Sequence, residues 1–158
     1  MSHSPLARPF IFYVATLLFF AVGGMTSIGM RWYATLQTPS WTPPDLLVAT
    51  IWCALFLCSA FSVSLFWEAR EQNTDAFKAT LALYMGNALL VLLWNFLFFG
   101  VHELFAAFWV AIAVGGTVLA LVLTLWNQVR TAALLLLPYL AWMLFALVLT
   151  YAVMTLNP

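Results

Sequence analysis

Tryptophan is the residue type through which this chain is best equipped to recognise another molecule, because it occurs eight times in 158 residues. The usual catalytic groups are missing. No Lys, Asp, Glu or His lies inside a long apolar stretch, which excludes an intramembrane proton relay of the usual kind. His102-Glu103 lacks the second histidine of a zinc-protease helix, and no nucleophile or phosphate-binding motif occurs. Indole rings instead offer flat apolar faces and one N–H each, which suit stacking on a planar apolar ligand.

Most of these tryptophans lie in long stretches of sequence without charge, so the elements that such stretches form must position them. Only 6% of the residues are charged and 66% are hydrophobic, whereas about a quarter are charged in a soluble domain. Charge-free stretches cover 9–30, 46–67, 79–102, 104–129 and 131–158, and a helix needs about 20 residues to cross a bilayer core. The sequence therefore predicts a single all-α integral membrane domain over 1–158, with five transmembrane helices at about 10–30, 45–67, 79–99, 104–126 and 131–155. A soluble enzyme and a nucleic-acid-binding protein are excluded.

The basic residues predict how this bundle is oriented. With five spans, the N-terminus, loop 68–78 and loop 127–130 share one side, which holds four of the five basic residues. Arg31 alone lies on the other side. The positive-inside rule then places the N-terminus in the cytoplasm, and loop 31–44 on the opposite face of the membrane.

Most of the tryptophans are predicted to lie in the half of the membrane that has few basic residues. Trp67 and Trp126 fall at the predicted cytoplasmic edge, and Trp142 lies near the middle of the fifth span. The others fall in the opposite half: Trp32, Trp41, Trp52, Trp94 and Trp109. An interfacial aromatic belt would explain part of this pattern, but Trp52 and Trp142 lie too deep for edge anchors. A ligand pocket in that half is the preferred interpretation. Loop 31–44, stiffened by three prolines, would be its lid, and Trp41 would close over the ligand.

Small residues and cysteines add two weaker indications. Ala82 and Gly86 lie four residues apart in the third span, where they predict close helix contact, either inside the bundle or at a homodimer face. Cys53 and Cys58 lie five apart on a helix and point to different faces, so they predict neither a disulfide nor a metal site. Both are expected to be buried apolar side chains.

The segment between the first two spans resembles the signature loop of the TspO/MBR family, the tryptophan-rich sensory proteins and mitochondrial translocator proteins. The loop has the pattern W-Y-x-x-L-x-x-P-x-W-x-P-P, which is met by Trp32, Tyr33, Leu36, Pro39, Trp41, Pro43 and Pro44. Further matches follow in order at Trp52, at Trp94 with Phe98-Phe99-Gly100, and at Pro138-Tyr139-Leu140-Ala141-Trp142, and Ala146, Tyr151 and Asn157 continue the last one. The resemblance covers nearly the whole chain.

The resemblance implies five transmembrane helices, often a homodimer, and a pocket near the first loop for porphyrins such as protoporphyrin IX and haem. The porphyrin would be a ligand, and no cofactor or metal is expected. Residues of the motif positions and their neighbours give the predicted ligand site: Tyr33, Trp41, Trp52, Phe56, Asn87, Val91, Trp94, Trp142, Ala146 and Thr150.

The sequence departs from the family pattern at this site. Asn87 and Val91 stand where the family has Gln and Asn, Phe56 where it has Tyr, and Thr150 where it has Asn. No Lys or Arg follows Tyr151 within five residues, so a sterol motif is weakly supported.

Three functions stay open at this point. The first is a membrane receptor or transport protein for tetrapyrroles or similar planar apolar molecules. The second is a light-dependent porphyrin-degrading enzyme that uses Trp52 and Trp142. The third is a regulatory membrane subunit without a ligand, because a shared fold does not fix function.

Overall fold

The computed structural model describes residues 31–69 and 74–158, and within them the chain forms helices and no strand. Four long α-helices follow one another: α1 over Asp45–Ala69, α2 over Asp75–Asn95, α3 over Leu104–Trp126 and α4 over Arg130–Leu156. They correspond to the second to fifth predicted spans. The first predicted span, 10–30, lies outside the described residues. The all-α class is confirmed.

The predicted helix bounds are close to the observed ones, except at the start of α2. This helix begins at Asp75 rather than near 79, because Thr74 caps it. The Thr74 hydroxyl accepts a hydrogen bond from the Phe77 N–H at 3.2 Å, which satisfies a donor that the first turn leaves open. The charges of Asp75 and Lys78 therefore lie on the helix, and they do not end it.

The end of α2 widens into a π-helical turn, Phe96–Gly100. The N–H of Val101 donates to the carbonyl of Phe96 at 3.0 Å, which is the five-residue spacing of a π-helix. The wider turn rotates the side chains at its end, so that Phe98 and Phe99 face the same cavity as Trp94. His102 then reverses the chain with a backbone in the left-handed region, φ 64°.

The helices pack in the order α1, α4, α3, α2, and their two ends differ. The end away from loop 31–44 is filled by a buried cluster that includes Phe66, Phe77, Leu125 and Leu136. The end at which the loop lies, which we call the loop end, is more open. Side chains there surround a cavity. The bundle is thus closed at one end and hollow at the other.

A polar contact in the closed half joins three helices. The Ser62 hydroxyl donates to the Ala132 carbonyl at 2.7 Å, and it lies 2.7 Å from the Tyr84 hydroxyl. Because the single Ser62 proton is used on the carbonyl, the Tyr84 hydroxyl is the donor to Ser62. All polar atoms of this chain of bonds are buried, where an unmet polar group is costly.

The outward faces of the helices are apolar. Each of the four helices is long and apolar enough to cross a membrane, and each exposes large side chains such as Leu57, Leu89, Leu123 and Leu144. Lipid tails solvate such faces and water does not. The chain is therefore an integral membrane protein. The side of the membrane that the loop end faces stays a prediction.

Candidate functional site

A cavity of about 700 Å³ occupies the loop end of the bundle, within the range of about 300–1,000 Å³ that is usual for small-molecule and cofactor sites. All four helices, the π-helical turn and the start of loop 31–44 contribute to its wall. The described part of the lining is almost wholly apolar and includes Tyr33, Asp45, Leu46, Val48, Ala49, Trp52, Cys53, Phe56, Val91, Trp94, Phe98, Phe99, Ala111, Val114, Trp142, Met143, Ala146, Leu149, Thr150 and Val153.

Trp52 on α1 is the centre of the aromatic wall. Its ring centroid lies 6.4 Å from that of Trp94 on α2 and 6.5 Å from that of Trp142 on α4, with the second pair at 87°. Phe56, one turn further along α1, stacks on Trp52 at 5.4 Å. Such edge and offset contacts hold aromatic rings in fixed orientations. The wall therefore presents rigid apolar ring surface to whatever fills the cavity.

Helix α4 supplies a donor as well as ring surface. The helix continues through Pro138, with Tyr139 buried against Trp52 at 5.9 Å and Trp142 on the cavity wall. The indole N–H of Trp142 is buried and has no hydrogen-bond acceptor among the described residues. Such groups are uncommon in folded proteins and need a specific explanation.

Two polar side chains, Tyr33 and Asp45, stand at the mouth of the cavity. Tyr33 lies at the start of loop 31–44, and Asp45 lies in the first turn of α1. Burial raises the pKa of the Tyr33 hydroxyl above its ordinary value of 10, and the Asp45 carboxylate raises this pKa further. The Tyr33 hydroxyl is therefore protonated at neutral pH and feels the charge of the Asp45 carboxylate.

Loop 31–44 is fastened to the bundle at its start and its middle. The Trp32 ring stacks on His102, with centroids 4.1 Å apart and planes at 14°. The Asn157 side chain accepts from the Gln37 N–H at 2.9 Å and donates to the Gln37 carbonyl at 2.9 Å. One amide thus bonds both backbone groups of a residue 120 positions away, and it ties the loop to the end of α4.

The structure brings eight of the ten predicted site residues to the cavity wall. They are Tyr33, Trp52, Phe56, Val91, Trp94, Trp142, Ala146 and Thr150.

The other two predicted site residues, Trp41 and Asn87, lie elsewhere. Trp41 packs edge-on against Phe145 at 5.8 Å and stays 47% exposed. Asn87 is buried, and its amide donates to the Thr117 hydroxyl at 2.9 Å. It therefore links α2 to α3. Asn87 shares a helix face with Val91 and Trp94, but it lies one turn or more further from the loop end and outside the cavity lining.

Several lining residues were absent from the predicted site. Phe98 and Phe99 belong to a motif match, but a straight helix would not place both beside Trp94, and only the π-helical turn does so. Asp45 was interpreted as a helix boundary. Cys53 was expected to be buried, whereas it is exposed among the described residues and lines the cavity. Its position one residue after Trp52 was the available signal.

The predicted helix-contact pair on α2 points away from the described bundle. Ala82 is exposed, and a Cβ added at Gly86 would meet no atom within 4 Å. Neither residue therefore packs against another described helix. Within 31–69 and 74–158, no group of three His, Cys, Asp or Glu residues could hold a metal ion.

Comparison with known proteins gives one consistent relationship. The sequence profile of the TspO/MBR family matches residues 10–156. The translocator protein of Sus scrofa is 36% identical over 155 residues, which cover 94% of this chain and 91% of that protein. The human translocator protein is 36% identical over 126 residues, 79% of this chain and 74% of its own length. The tryptophan-rich protein TspO of Archaeoglobus fulgidus is 35% identical over 126 residues, 80% of each chain. With a profile match over nearly its full length and relatives above 30% identity, the chain belongs to the TspO/MBR family of membrane proteins.

Proposed function

We propose that the protein is a membrane receptor or carrier that binds tetrapyrroles, such as protoporphyrin IX or haem, or similar planar apolar molecules in the loop-end cavity. The observation that carries the proposal is the aromatic wall around Trp52, which lines an apolar cavity of about 700 Å³. Planar rings gain both apolar burial and favourable ring contacts on such a wall. The N–H of Trp142, which bonds no acceptor among the described residues, adds a donor for an acceptor atom of the ligand.

The absence of charge in most of the wall favours the same class of ligand. Apart from Asp45, every lining side chain within 31–69 and 74–158 is uncharged, so shape and stacking must provide the affinity. A strongly polar solute would lose its hydration in this cavity without compensating bonds. A molecule that already partitions into the membrane has little hydration to lose when it enters the cavity.

The test is quenching of tryptophan fluorescence by protoporphyrin IX in lipid nanodiscs. Trp52→Leu and Trp142→Leu remove ring surface from the wall, and each is expected to weaken binding about tenfold, which is about 1.4 kcal/mol. Trp109→Leu is the matched control, because Trp109 is exposed and lies outside the lining. Unchanged affinity in both cavity variants would refute this site.

Light-dependent degradation of bound porphyrin is the second candidate function. It is favoured by the closeness of two cavity tryptophans, whose rings lie 6.5 Å apart, beside the ligand space. The Soret absorption of bound protoporphyrin IX in aerated samples would be followed under illumination. Faster loss with the wild type than with the Trp52→Phe/Trp142→Phe double variant, at equal occupancy, would support degradation. Equal loss would leave binding as the function.

A further inference from the structure

Among the described residues that line the cavity, Asp45 is the one charged side chain. None of the lining residues is Lys, Arg or His. The 22 residues that precede Arg31 carry no charged side chain either, so that part of the sequence supplies no cation to the cavity. On the part of the wall that the structure describes, a ligand that enters the cavity therefore meets a negative charge and no positive one.

The charged residues around the mouth of the cavity do not outweigh the negative charge of Asp45. The other charged residues that the described part of the chain places at the loop end are Arg31 and Glu103, and both are exposed. The described residues at the loop end thus carry one positive charge, on Arg31, and two negative charges, on Asp45 and Glu103. Tyr33 next to Asp45 contributes a neutral hydroxyl, because burial and the carboxylate both favour its protonated form. The mouth is therefore weakly acidic, and its charge nearest the cavity is that of Asp45.

We propose that Asp45 selects the charge on the polar end of the ligand: the cavity holds a planar apolar body whose end group at the mouth is uncharged or cationic in preference to a carboxylate. The inference rests on the proposed function, since it assigns the end group of the ligand that the aromatic wall binds. Within the ligand class of the proposed function, it ranks ester, amide or amine-bearing rings above dicarboxylates such as protoporphyrin IX, which still bind but less tightly.

The physical reason is that the apolar wall strengthens the field of the carboxylate. Charges interact more strongly beside a low-dielectric surface than in bulk water. A ligand carboxylate at the mouth would bring like charges together, whereas an ammonium group would pair with Asp45 and an ester would do neither. Asp45 also favours the start of α1, where a negative charge complements the helix dipole. That role depends only on the helix, so it predicts no dependence on ligand charge.

The experiment uses three ligands that share one ring: protoporphyrin IX with two carboxylates, its uncharged dimethyl ester, and a diamide with two amine arms. Dissociation constants are measured by tryptophan quenching in nanodiscs of zwitterionic lipid, for the wild type and Asp45→Asn. Asparagine keeps the size of aspartate and removes its charge. Comparing the two proteins with each ligand cancels the differences in membrane partition.

The effect of Asp45→Asn should follow the sign of the ligand charge. Binding of the dicarboxylate should tighten by about two- to tenfold, binding of the diamine should weaken by a similar factor, and binding of the ester should stay the same. Both changes should shrink as the salt concentration rises from about 0.05 to 0.5 M, because the Debye length falls. Glu103→Gln is the matched control, since it removes the same charge at the loop end from outside the lining, and it should change none of the three constants.

Two outcomes overturn the inference in distinguishable ways. If the ester binds the wild type but Asp45→Asn alters all three ligands equally or none of them, ring binding stands and the selection by Asp45 is refuted. If none of the three ligands binds the wild type, the proposed function itself fails, and the inference fails with it.

Discussion

At the scale of single residues, the side chains that could recognise a ligand are aromatic, and their contacts are well defined. Trp52 touches ring partners on its own helix, on α2 and on α4. The departures from the family pattern, Phe56 and Val91, replace polar groups with apolar ones in the same wall. The wall is therefore less polar than the family pattern implies, and recognition depends more on stacking.

Cys53 offers a direct test of where the ligand lies. Because it lines the cavity next to Trp52, a bound ligand should cover its thiol. In a Cys58→Ser background, the labelling of Cys53 by a membrane-permeant maleimide should slow about tenfold at a ligand concentration ten times the dissociation constant, since only the free protein reacts. Labelling would be followed by mass spectrometry of the intact protein.

Cys58 is the control for this measurement. It does not line the cavity, so Cys53→Ser protein labelled at Cys58 should react at the same rate with and without porphyrin. Equal slowing at both cysteines would show a general effect of the ligand on the membrane. No slowing at Cys53 would place the ligand elsewhere.

At the scale of elements, the loop and the helices are fixed by a small number of polar contacts. Two contacts stand out because they join distant parts of the chain: Asn157 with the backbone of Gln37, and Ser62 with Tyr84 and Ala132. The first positions loop 31–44 over the cavity mouth, and the second holds the closed half of the bundle together. Their loss should therefore have different consequences.

Loss of the Asn157 contact should loosen the loop without unfolding the bundle. Asn157→Ala removes both hydrogen bonds to Gln37, each worth about 1 kcal/mol. We expect amide exchange in the peptide that contains Gln37 to become severalfold faster by hydrogen-exchange mass spectrometry. Bound porphyrin should also dissociate faster.

The control for the loop is Thr155→Val. The Thr155 hydroxyl bonds the Ala152 carbonyl at the same end of α4 and has no contact with the loop. This variant should leave the exchange of the Gln37 peptide unchanged. If Asn157→Ala also leaves it unchanged, the loop is held by other contacts, such as the stack of Trp32 on His102.

Loss of the Ser62 contacts should instead lower the stability of the bundle. Tyr84→Phe removes one buried hydrogen bond and should lower the free energy of unfolding by about 0.6 kcal/mol, the average for such bonds in membrane proteins. Ser62→Ala removes two bonds and should cost more. Reversible unfolding in mixed detergent micelles, followed by circular dichroism, measures both values.

Ser64→Ala is the matched control for Ser62. The Ser64 hydroxyl is also buried but bonds the Ala60 carbonyl within its own helix, so it joins no two helices. Its replacement should change the free energy of unfolding by less than that of Ser62. Equal losses in the two variants would contradict a linking role for Ser62.

At the scale of the whole molecule, the bundle has a closed end, a loop end that holds the cavity, and a face on α2 that no described helix covers. Ala82 and Gly86 lie on that face. Small residues let helix backbones approach closely in a membrane. We therefore expect this face to support a homodimer.

Gly86→Leu should block that dimer, because a large side chain on the face keeps a second backbone away. Chemical crosslinking in native membranes and light scattering in detergent would both report the loss. Gly116→Leu is the control, since Gly116 on α3 has equally open surroundings but lies on a different helix. A dimer that persists in Gly86→Leu would exclude this face.

The sequence by itself determined the fold class and the aromatic part of the candidate site. The gaps between ten charges predicted α1 to α4 to within a few residues, because hydrocarbon requires each apolar stretch to satisfy its own backbone. Eight of the ten residues that the family resemblance implies for the ligand site lie among the twenty described lining residues of the cavity, and their role in binding stays a prediction.

Only the tertiary structure decided which polar groups belong to the site. Asn87 bonds α3, Trp41 packs outside the wall, and Asp45 faces the cavity. The first outcome depends on how far along α2 Asn87 lies, the second on the path of the loop, and the third on the rotation of α1. The π-helical turn in addition redirects Phe98 and Phe99. In a chain apolar on every side of each helix, spacing carries no information about rotation, because the hydrophobic pattern does not distinguish a face turned to lipid from one turned to the bundle.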